Sequence, residues 1–65
     1  MELKFKRVRA GISQLELSLR ARVSRWRLGL AERDAIQLRP DEVARIERAL
    51  KKYRRSMRPV LQIVR

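Results

Sequence analysis

The sequence QLELSLRARVSRWRLGLAER, residues 14–33, contains two short helical patterns with only two residues between them. A serine precedes each pattern. Ser13 and Glu16 form a capping box, in which the hydroxyl and the carboxylate each accept a hydrogen bond from the other residue's backbone N–H. This first helix is expected to end near Ala21, and Ser24 is a suitable N-cap for the second helix. The stretch therefore predicts two helices joined by a very tight turn.

Two helices joined so closely must cross at a steep angle, and they need small side chains where they touch. The pattern supplies four small residues: Ser18, Ala21, Gly29 and Ala31. Three apolar side chains can fill the wedge between the helices: Leu17, Val23 and Leu28. On the exposed side, Glu16 and Arg20 are spaced for an ion pair. The arrangement is a helix-turn-helix, whose second helix can enter the major groove of DNA.

The residues before this stretch predict another helix, from about Leu3 to Ala10. Gly11 follows it, where glycine commonly ends a helix. Four apolar residues, spaced by 4, 3 and 4, would form one face of this helix: Met1, Phe5, Val8 and Ile12. We expect Glu32 of the central stretch to pair with an arginine of this helix such as Arg7.

The residues after the stretch predict a loop and a longer helix. Asp34 can end the preceding helix because aspartate tolerates the left-handed backbone region. The loop to Arg39 is expected to turn Ile36 and Leu38 inward. The next helix begins at Pro40, a favoured first helical residue. Its apolar face is the clearest amphipathic pattern in the chain: Val43, Ile46, Leu50, Tyr53 and Met57.

Basic residues lie opposite that face, and we expect them mainly to solvate the surface: Arg45, Arg48, Lys52 and Arg55. Pro59 is expected to stop the helix at or before Arg58. Residues 1–58 would then form the domain, and residues 59–65 an apolar tail for packing or dimerisation, which the sequence allows to be strand or helix. The expected fold class is all-α, with four or five helices.

The composition points to a polyanionic partner. Of 65 residues, 18 are Lys or Arg and 7 are Asp or Glu, which gives a net charge of +11. Nucleic acid is the first candidate, and an anionic membrane surface bound through the last helix is another. A chain of this length forms one domain with a thin core.

Several other classes of protein do not fit the sequence. The chain has no Cys and no His, which excludes zinc fingers, disulfide scaffolds, and thiolate or imidazole chemistry. No pair of acids is arranged for general acid–base catalysis, so we expect no enzymatic activity, cofactor, metal or small-molecule ligand. No apolar run could span a bilayer and no signal peptide is recognisable, so the expected location is cytoplasmic.

Residues 14–33 resemble the helix-turn-helix of Cro/repressor-type DNA-binding proteins, the XRE-like group. The resemblance extends upstream through residues 9–13. Downstream it includes Arg39-Pro40 and Ile46-Glu47-Arg48-Ala49-Leu50, so that it covers about residues 3–53. It implies a Cro/repressor-like domain that binds double-stranded DNA.

The resemblance also implies roles for individual residues, with a recognition helix over about residues 24–33. Three side chains would contact base edges: Arg25, Trp26 and Leu30. Five would contact the DNA backbone or the groove: Gln14, Ser24, Arg27, Arg33 and Arg39. Arg25 is the candidate for a bidentate contact with guanine. The chain departs from the family in the turn, where Arg22 stands in place of the usual glycine.

The function implied is that of a small transcriptional regulator, a repressor of the phage, plasmid or mobile-element kind. It would bind a palindromic site as a homodimer. The alternative is an antitoxin, or another protein-binding module of the same fold, which binds a partner protein through the tail as well as its own operator.

Four residues leave structural alternatives open. Leu15 and Leu19 lie one helical turn apart, outside the packing positions, and they either contact the tail within one chain or form a dimer interface. Trp26 either contacts DNA or packs against Leu30 or another chain. Gly29 costs about 1 kcal/mol in a helix interior, so a close approach must require it, and we expect that approach to be to the preceding helix rather than to DNA.

Overall fold

The computed structural model describes the backbone from residue 3 to residue 64 and the side chains from residue 3 to residue 54. Within these limits the regular elements are four α-helices: α1 (Leu3–Ala10), α2 (Gln14–Ala21), α3 (Arg25–Glu32) and α4 (Pro40–Val64). No strand occurs between residues 3 and 64. The expected all-α class is confirmed, and the first three helices match their predicted bounds to within one residue.

Serine caps begin α2 and α3, as predicted. The Ser13 hydroxyl accepts a hydrogen bond from the Glu16 N–H (3.1 Å), and the Ser24 hydroxyl accepts one from the Arg27 N–H (3.0 Å). The Glu16 carboxylate accepts a hydrogen bond from Arg20 Nε (3.0 Å), which confirms the predicted ion pair. Local side-chain chemistry therefore determines where both helices of the central pair begin.

Residues in the left-handed region follow each of the three short helices. Arg22 is the C-cap of α2, with φ 57° and ψ 43°. Gly11 after α1 (φ 78°) and Asp34 after α3 (φ 61°) lie in the same region. Helix α3 ends at Glu32, one residue earlier than predicted, with Arg33 as its C-cap. The tight turn between α2 and α3 is therefore formed by an arginine in a conformation that favours glycine.

We expect Arg22→Gly to be neutral or to stabilise the domain by up to about 1 kcal/mol, because glycine adopts a positive φ without a Cβ clash. Arg48→Gly is the matched control, since Arg48 is exposed within α4. In a helix interior this exchange is expected to destabilise the domain by about 1 kcal/mol. Thermal and urea denaturation measure both variants. Clear destabilisation by Arg22→Gly would contradict the assignment of backbone strain to this turn.

The core lies where α2 packs against α3 and α4. Ten apolar residues of the described part are buried in it: Leu3, Ile12, Leu17, Ala21, Val23, Leu28, Ala31, Ile46, Ala49 and Leu50. The predicted wedge of Leu17, Val23 and Leu28 is thereby confirmed. Ile36 and Leu38 of the loop are half-buried against the core, as expected. The core thus holds the α2–α3 pair in a fixed arrangement on α4.

The apolar face of α4 is confirmed as far as the side chains are described. Ile46 and Leu50 are buried, and Val43 and Tyr53 are half-buried. Met57 lies outside the described side chains. Within residues 3–64, no helix is both long enough and apolar enough to cross a membrane.

Helix α1 packs through a different face from the predicted one. Phe5 is 64% exposed and Val8 is 59% exposed, whereas Leu3 is buried and Arg7 is half-buried. The apolar face predicted for this segment is therefore not buried as a whole: Ile12 lies in the core, Phe5 and Val8 lie in solvent, and Met1 lies outside the described residues. The physical reason is a long-range contact. Arg7 of α1 bonds to the buried carboxylate of Glu32 on α3, so the face of α1 that carries Arg7 turns toward the core and Phe5 and Val8 remain in solvent.

Helix α4 is longer than predicted. It continues from Pro40 through Pro59 to Val64, so the predicted stop at or before Arg58 is wrong, and residues 59–64 of the expected tail are helical. Proline removes one backbone hydrogen bond, but a long helix that keeps its other bonds can continue through it. Apolar residues recur at helical spacing after the proline as they do before it. The packing or dimerisation role predicted for the tail concerns side chains outside the described part.

Candidate nucleic-acid interface

The outward face of α3 is defined by five residues at helical spacing: Arg25, Trp26, Gly29, Leu30 and Arg33. The opposite face of the helix is buried, through Leu28, Ala31 and Glu32. Trp26 is 74% exposed, so its indole ring is not covered by Leu30 or by another side chain of residues 3–54. Arg25 and Arg33 are exposed as well, while Leu30 is half-buried. The three residues predicted to contact base edges therefore share one face of one helix.

The two cationic side chains of this outward face are free. Among the described residues, neither Arg25 nor Arg33 makes a side-chain hydrogen bond or an ion pair. Ser24, just before Arg25, is exposed, and its hydroxyl caps α3. Arg25 therefore leaves the first turn of α3 with its five N–H donors available to an acceptor outside the chain.

Arg27 belongs to a different group, because its guanidinium is bound within the fold. Its Nε donates to Glu42 Oε2 (2.9 Å) and its Nη2 donates to Oε1 (2.8 Å), which is a bidentate ion pair. Glu42 Oε1 also accepts the backbone N–H of Arg39 (2.9 Å). The structure thus gives Arg27 a role in joining α3 to α4, and the groove contact expected of it stays a prediction.

Glu42 is the clearest electrostatic anchor of the site. Its carboxylate is buried, and the hydrogen bonds from Arg27 and from the Arg39 N–H lower the pKa of Glu42 from 4.5 to about 2. The Arg39 guanidinium itself is mostly exposed, with Nε 3.7 Å from Asp41 Oδ1. Arg39 therefore lies just before α4, beside the Arg27–Glu42 pair that joins α4 to α3, and its guanidinium is accessible to solvent.

We expect acid to destabilise the domain as the pH falls from about 4.5 toward 2. The pKa of Glu42 is lower in the folded chain than in the unfolded one, so its stabilising contribution is complete above about 4.5 and is lost as Glu42 becomes protonated. Glu42→Gln should be less stable at neutral pH and should lose less stability across that range. Urea denaturation at a series of pH values measures both effects.

Glu47→Gln is the control for the acid series, because the Glu47 carboxylate is exposed and lies 3.6 Å from Lys6 Nζ. This variant should keep the acid dependence of the unchanged protein. If Glu42→Gln and Glu47→Gln show the same dependence on pH, Glu42 is not the anchor described.

A second buried carboxylate joins the start of α2 to the end of α3. Arg7 Nε donates to Glu32 Oε2 (2.7 Å), which confirms the predicted pair, and Gln14 Nε2 donates to Oε1 (3.0 Å). Burial disfavours the charged carboxylate, but the bonds from Arg7 and Gln14 outweigh it and lower the pKa of Glu32. Gln14, expected to contact a phosphate, is thus held in place at the first turn of α2.

Gly29 is not required by the packing of α3 on α2. A Cβ built on Gly29 would meet only the Gln14 side chain, with both Nε2 and Oε1 at 3.9 Å, which is ordinary van der Waals contact. The expectation that close approach to α2 explains this glycine is therefore wrong. Glycine at this position makes α3 less stable than alanine would, by about 1 kcal/mol. The contacts in the described part of the chain give no steric reason for this loss of stability.

Arg45 has a structural role that the sequence did not reveal. Its Nε donates to the Ala21 carbonyl (3.0 Å) and its Nη2 donates to the Arg22 carbonyl (3.4 Å). Its Nη1 donates to Asp41 Oδ2 (3.1 Å). Arg45 therefore satisfies carbonyl groups at the end of α2 and ties the tight turn to α4. No local sequence pattern links two residues that are 24 positions apart. The bond from the Arg39 N–H to Glu42, in contrast, has the three-residue spacing of half a capping box and could have been recognised in the sequence.

An exposed apolar patch lies on α2, formed by Leu15 and Leu19. Both side chains are exposed, and they line a shallow groove together with Ser13, Glu16 and Arg20. The described part of the chain leaves both leucines exposed, and a contact with the tail stays a prediction because the side chains of the tail lie outside that part. The patch remains available to a second chain.

No group of three or more Asp and Glu side chains in the described part could hold a metal ion. Comparison with protein-family models, with curated protein sequences and with solved structures finds no match to this chain.

Proposed function

We propose that this chain binds double-stranded DNA sequence-specifically through the outward face of α3, as Cro/repressor-type helix-turn-helix proteins do, and that it acts as a small transcriptional regulator, a repressor. The observation that carries the proposal is the contrast between the two faces of α3. One face is buried in the core, and the other presents Arg25, Trp26 and Arg33 with no partner in the described part of the chain. A helix face with exposed cationic and aromatic side chains, opposite a buried face, is available to a partner outside the chain.

The charge of the chain supports DNA as the partner. Its net charge is +11, and several of the acids are already paired with basic side chains inside the fold. The unpaired cations are therefore in large excess on the surface. Lys and Arg that neutralise phosphates release counterions, and this release supplies most of the affinity of such proteins for DNA.

We assign different tasks to the residues of this proposed interface. Arg25, in the first turn of α3, would donate to guanine O6 and N7, because the start of a recognition helix lies closest to the base edges. Trp26 and Leu30 offer apolar contact beside it. Arg33, two turns further on, would bind a phosphate, as would Arg39 and the start of α2 at Gln14. These backbone contacts would set the depth and angle of α3 in the groove.

We expect Arg25→Ala and Arg33→Ala to weaken binding in different ways. Arg25→Ala should lose discrimination at one base pair, by about 1–3 kcal/mol, and keep much of its non-specific affinity. Arg33→Ala should weaken all sequences about equally and lower the salt dependence by about one unit. Titrations of each variant on a matched duplex and on a single-mismatch duplex measure these effects. If Arg25→Ala weakens both duplexes by the same factor, Arg25 binds a phosphate and the start of α3 does not recognise bases.

We propose further that the Leu15–Leu19 patch contacts a second copy of the chain on a palindromic site. Exposed apolar side chains clustered on a small domain are typical of protein-protein contacts. Helix-turn-helix dimers bind half-sites about one helical turn of DNA apart, so two copies would place two α3 helices in successive major grooves. A dyad in the bound sequence would support this arrangement.

The same patch supports one other candidate function, that of an antitoxin or related module that binds a partner protein. Phe5 and Val8 add exposed apolar surface on α1. In that case the chain alone would be monomeric in sedimentation, and it would form a stoichiometric complex with a protein encoded beside it. A chain that sediments as a dimer on its own favours the regulator.

A further inference from the structure

The positive charge of the chain is concentrated in its last helix. All seven acidic residues lie within residues 1–47, whereas residues 48–65 contain seven Lys or Arg and no acid. These last residues therefore carry +7 of the net charge of +11. The cations proposed to contact DNA from α3 and its neighbours lie within residues 25–39 and account for none of this excess.

Three of these cations have side chains in the described part of the chain and lie side by side on one surface of α4. We call them the basic face of α4: Arg48, Lys51 and Lys52. All three are exposed, and among the described residues none makes a side-chain hydrogen bond or an ion pair. The nearest acid along the helix, Glu47, lies 3.6 Å from Lys6 instead. The basic face is therefore open to an anion outside the chain.

The fold does not need this charge. Arg48 lies three residues from Lys51 and four from Lys52, so the three cations are neighbours on the helix surface and repel one another. Arg45, one turn earlier, shows the contrast, because its guanidinium bonds to the Ala21 carbonyl at the end of α2. The basic face thus makes α4 less stable, and an external anion would remove this repulsion.

The basic face points away from the proposed α3 interface. Ile46 and Leu50 turn the opposite side of α4 into the core. Glu42, on that same inner side, bonds to Arg27 of α3 (2.8 Å), so α3 also lies on the inner side of α4. A duplex seated on the outward face of α3 therefore has the body of the domain between it and the basic face.

The chemistry of the basic face favours a nucleic-acid backbone as its partner. Between residues 44 and 54, the outward side of α4 carries no apolar side chain larger than Ala44. A basic helix on a membrane inserts an apolar face beside its cations, but here that face is buried in the core through Ile46 and Leu50. A row of phosphates needs only cations in return, and it is bound irrespective of base sequence.

We propose that the basic face of α4 binds the phosphate backbone of a second DNA duplex, whatever its sequence, so that one molecule of the chain joins two duplexes. The inference rests on the proposed DNA binding by α3 and adds a second partner on the opposite side of the domain. The outward face of α3 selects the site, and α4 holds another stretch of DNA close to it.

The experiment measures whether the chain joins two duplexes at physiological salt. A duplex with the selected motif is fixed to beads, the chain is bound to it, and a fluorescent duplex of unrelated sequence is added. The unchanged protein should retain the fluorescent duplex. The α4 variant carries Arg48→Gln, Lys51→Gln and Lys52→Gln, and it should retain at least about tenfold less, because three phosphate contacts are lost.

The affinity of the α4 variant for the motif duplex should stay within about threefold of that of the unchanged protein, since charges beyond about 8 Å are screened at this salt. Its melting temperature should be at least as high as that of the unchanged protein, because glutamine is as good a helix former and the repulsion is removed. These two measurements exclude a damaged fold and a damaged α3 interface as the cause of the loss.

The matched control removes the same charge from exposed positions of α1: Lys4→Gln, Lys6→Gln and Arg9→Gln. This α1 variant should retain the fluorescent duplex within about threefold of the unchanged protein. If it loses as much as the α4 variant, the effect depends on the total charge, and the basic face is not a site.

Two further results would overturn the inference. Equal retention by the α4 variant and the unchanged protein would show that two α3 helices of a dimer hold the two duplexes. No retention by the unchanged protein would show that α4 binds no second duplex, and its binding to phosphatidylserine vesicles in that case would assign the basic face to a membrane. If the unchanged protein selects no motif at all, the proposed function itself fails and the inference with it, which is a different outcome from motif selection without retention.

Discussion

Raising the salt concentration from 50 to 200 mM is expected to weaken DNA binding by about 10³–10⁵-fold, because a bound unit that neutralises roughly 6 to 10 phosphates releases as many counterions. The net charge of +11 makes this number of contacts available. The buried acids Glu32 and Glu42 are already neutralised within the fold by Arg7 and Arg27, so they offer little repulsion to a phosphate. A fluorescence titration of a short duplex at several salt concentrations measures the slope.

A duplex of unrelated sequence is the control for this series. Its affinity should be lower at every salt concentration, but it should fall with a slope of similar size, since phosphate contacts do not depend on sequence. A flat salt response for both duplexes would contradict the assignment of the positive charge to DNA. It would leave the exposed apolar patch of α2 as the main interaction surface of the chain.

We expect Leu28→Ala to destabilise the domain by about 2–5 kcal/mol, because truncation of a buried leucine leaves a cavity. Leu28 is 0% exposed and fills the wedge between α2 and α3. Domains of this size have a free energy of unfolding of only about 3–10 kcal/mol, so much of the chain should be unfolded near physiological temperature. Urea denaturation at low temperature measures the loss.

Val8→Ala is the matched control, because Val8 is also aliphatic but is exposed on α1. Its stability should change by no more than about 0.5 kcal/mol. DNA binding by Leu28→Ala should fall only in proportion to the unfolded fraction, and it should recover at low temperature. If Leu28→Ala denatures like the unchanged protein, Leu28 does not fill the core between the two helices.

Local chemistry made much of this fold predictable from the sequence. Ser13 and Ser24 cap the helices they precede, and Asp34 has the left-handed backbone that allows it to follow the end of α3. Each of these features depends on a few neighbouring residues. The apolar face of α4 was predictable for a similar reason, since its period is repeated over several turns.

Long-range contacts explain what the sequence could not predict. The exposure of Phe5 and Val8 could not be predicted, because the bond from Arg7 to Glu32 turns another face of α1 toward the core. Arg27 resembles a free cation of the recognition helix in the sequence, yet Glu42, 15 residues away, binds it. Similarly, no pattern indicates that a Cβ at Gly29 would make only ordinary contact with Gln14 of α2, because that depends on how the two helices are placed.

The path of α4 past Pro59 was missed for another reason. Proline disfavours a helix by a local cost, and the predicted end at Arg58 depends on that cost exceeding the preference of the surrounding residues for one continuous amphipathic helix. The structure continues the helix to Val64. A single unfavourable residue therefore predicted the end of this element less well than the periodic pattern on both sides of it.

The most direct test of sequence-specific DNA binding by α3 is the selection of bound fragments from random duplex DNA at physiological salt, with Arg25→Ala run in parallel. The unchanged protein is expected to enrich one motif, arranged as two half-sites related by a dyad about one helical turn apart. Arg25→Ala should enrich the same motif with one base pair relaxed. Fragments with no common motif, or an unchanged motif with Arg25→Ala, would contradict the assignment of base recognition to the outward face of α3.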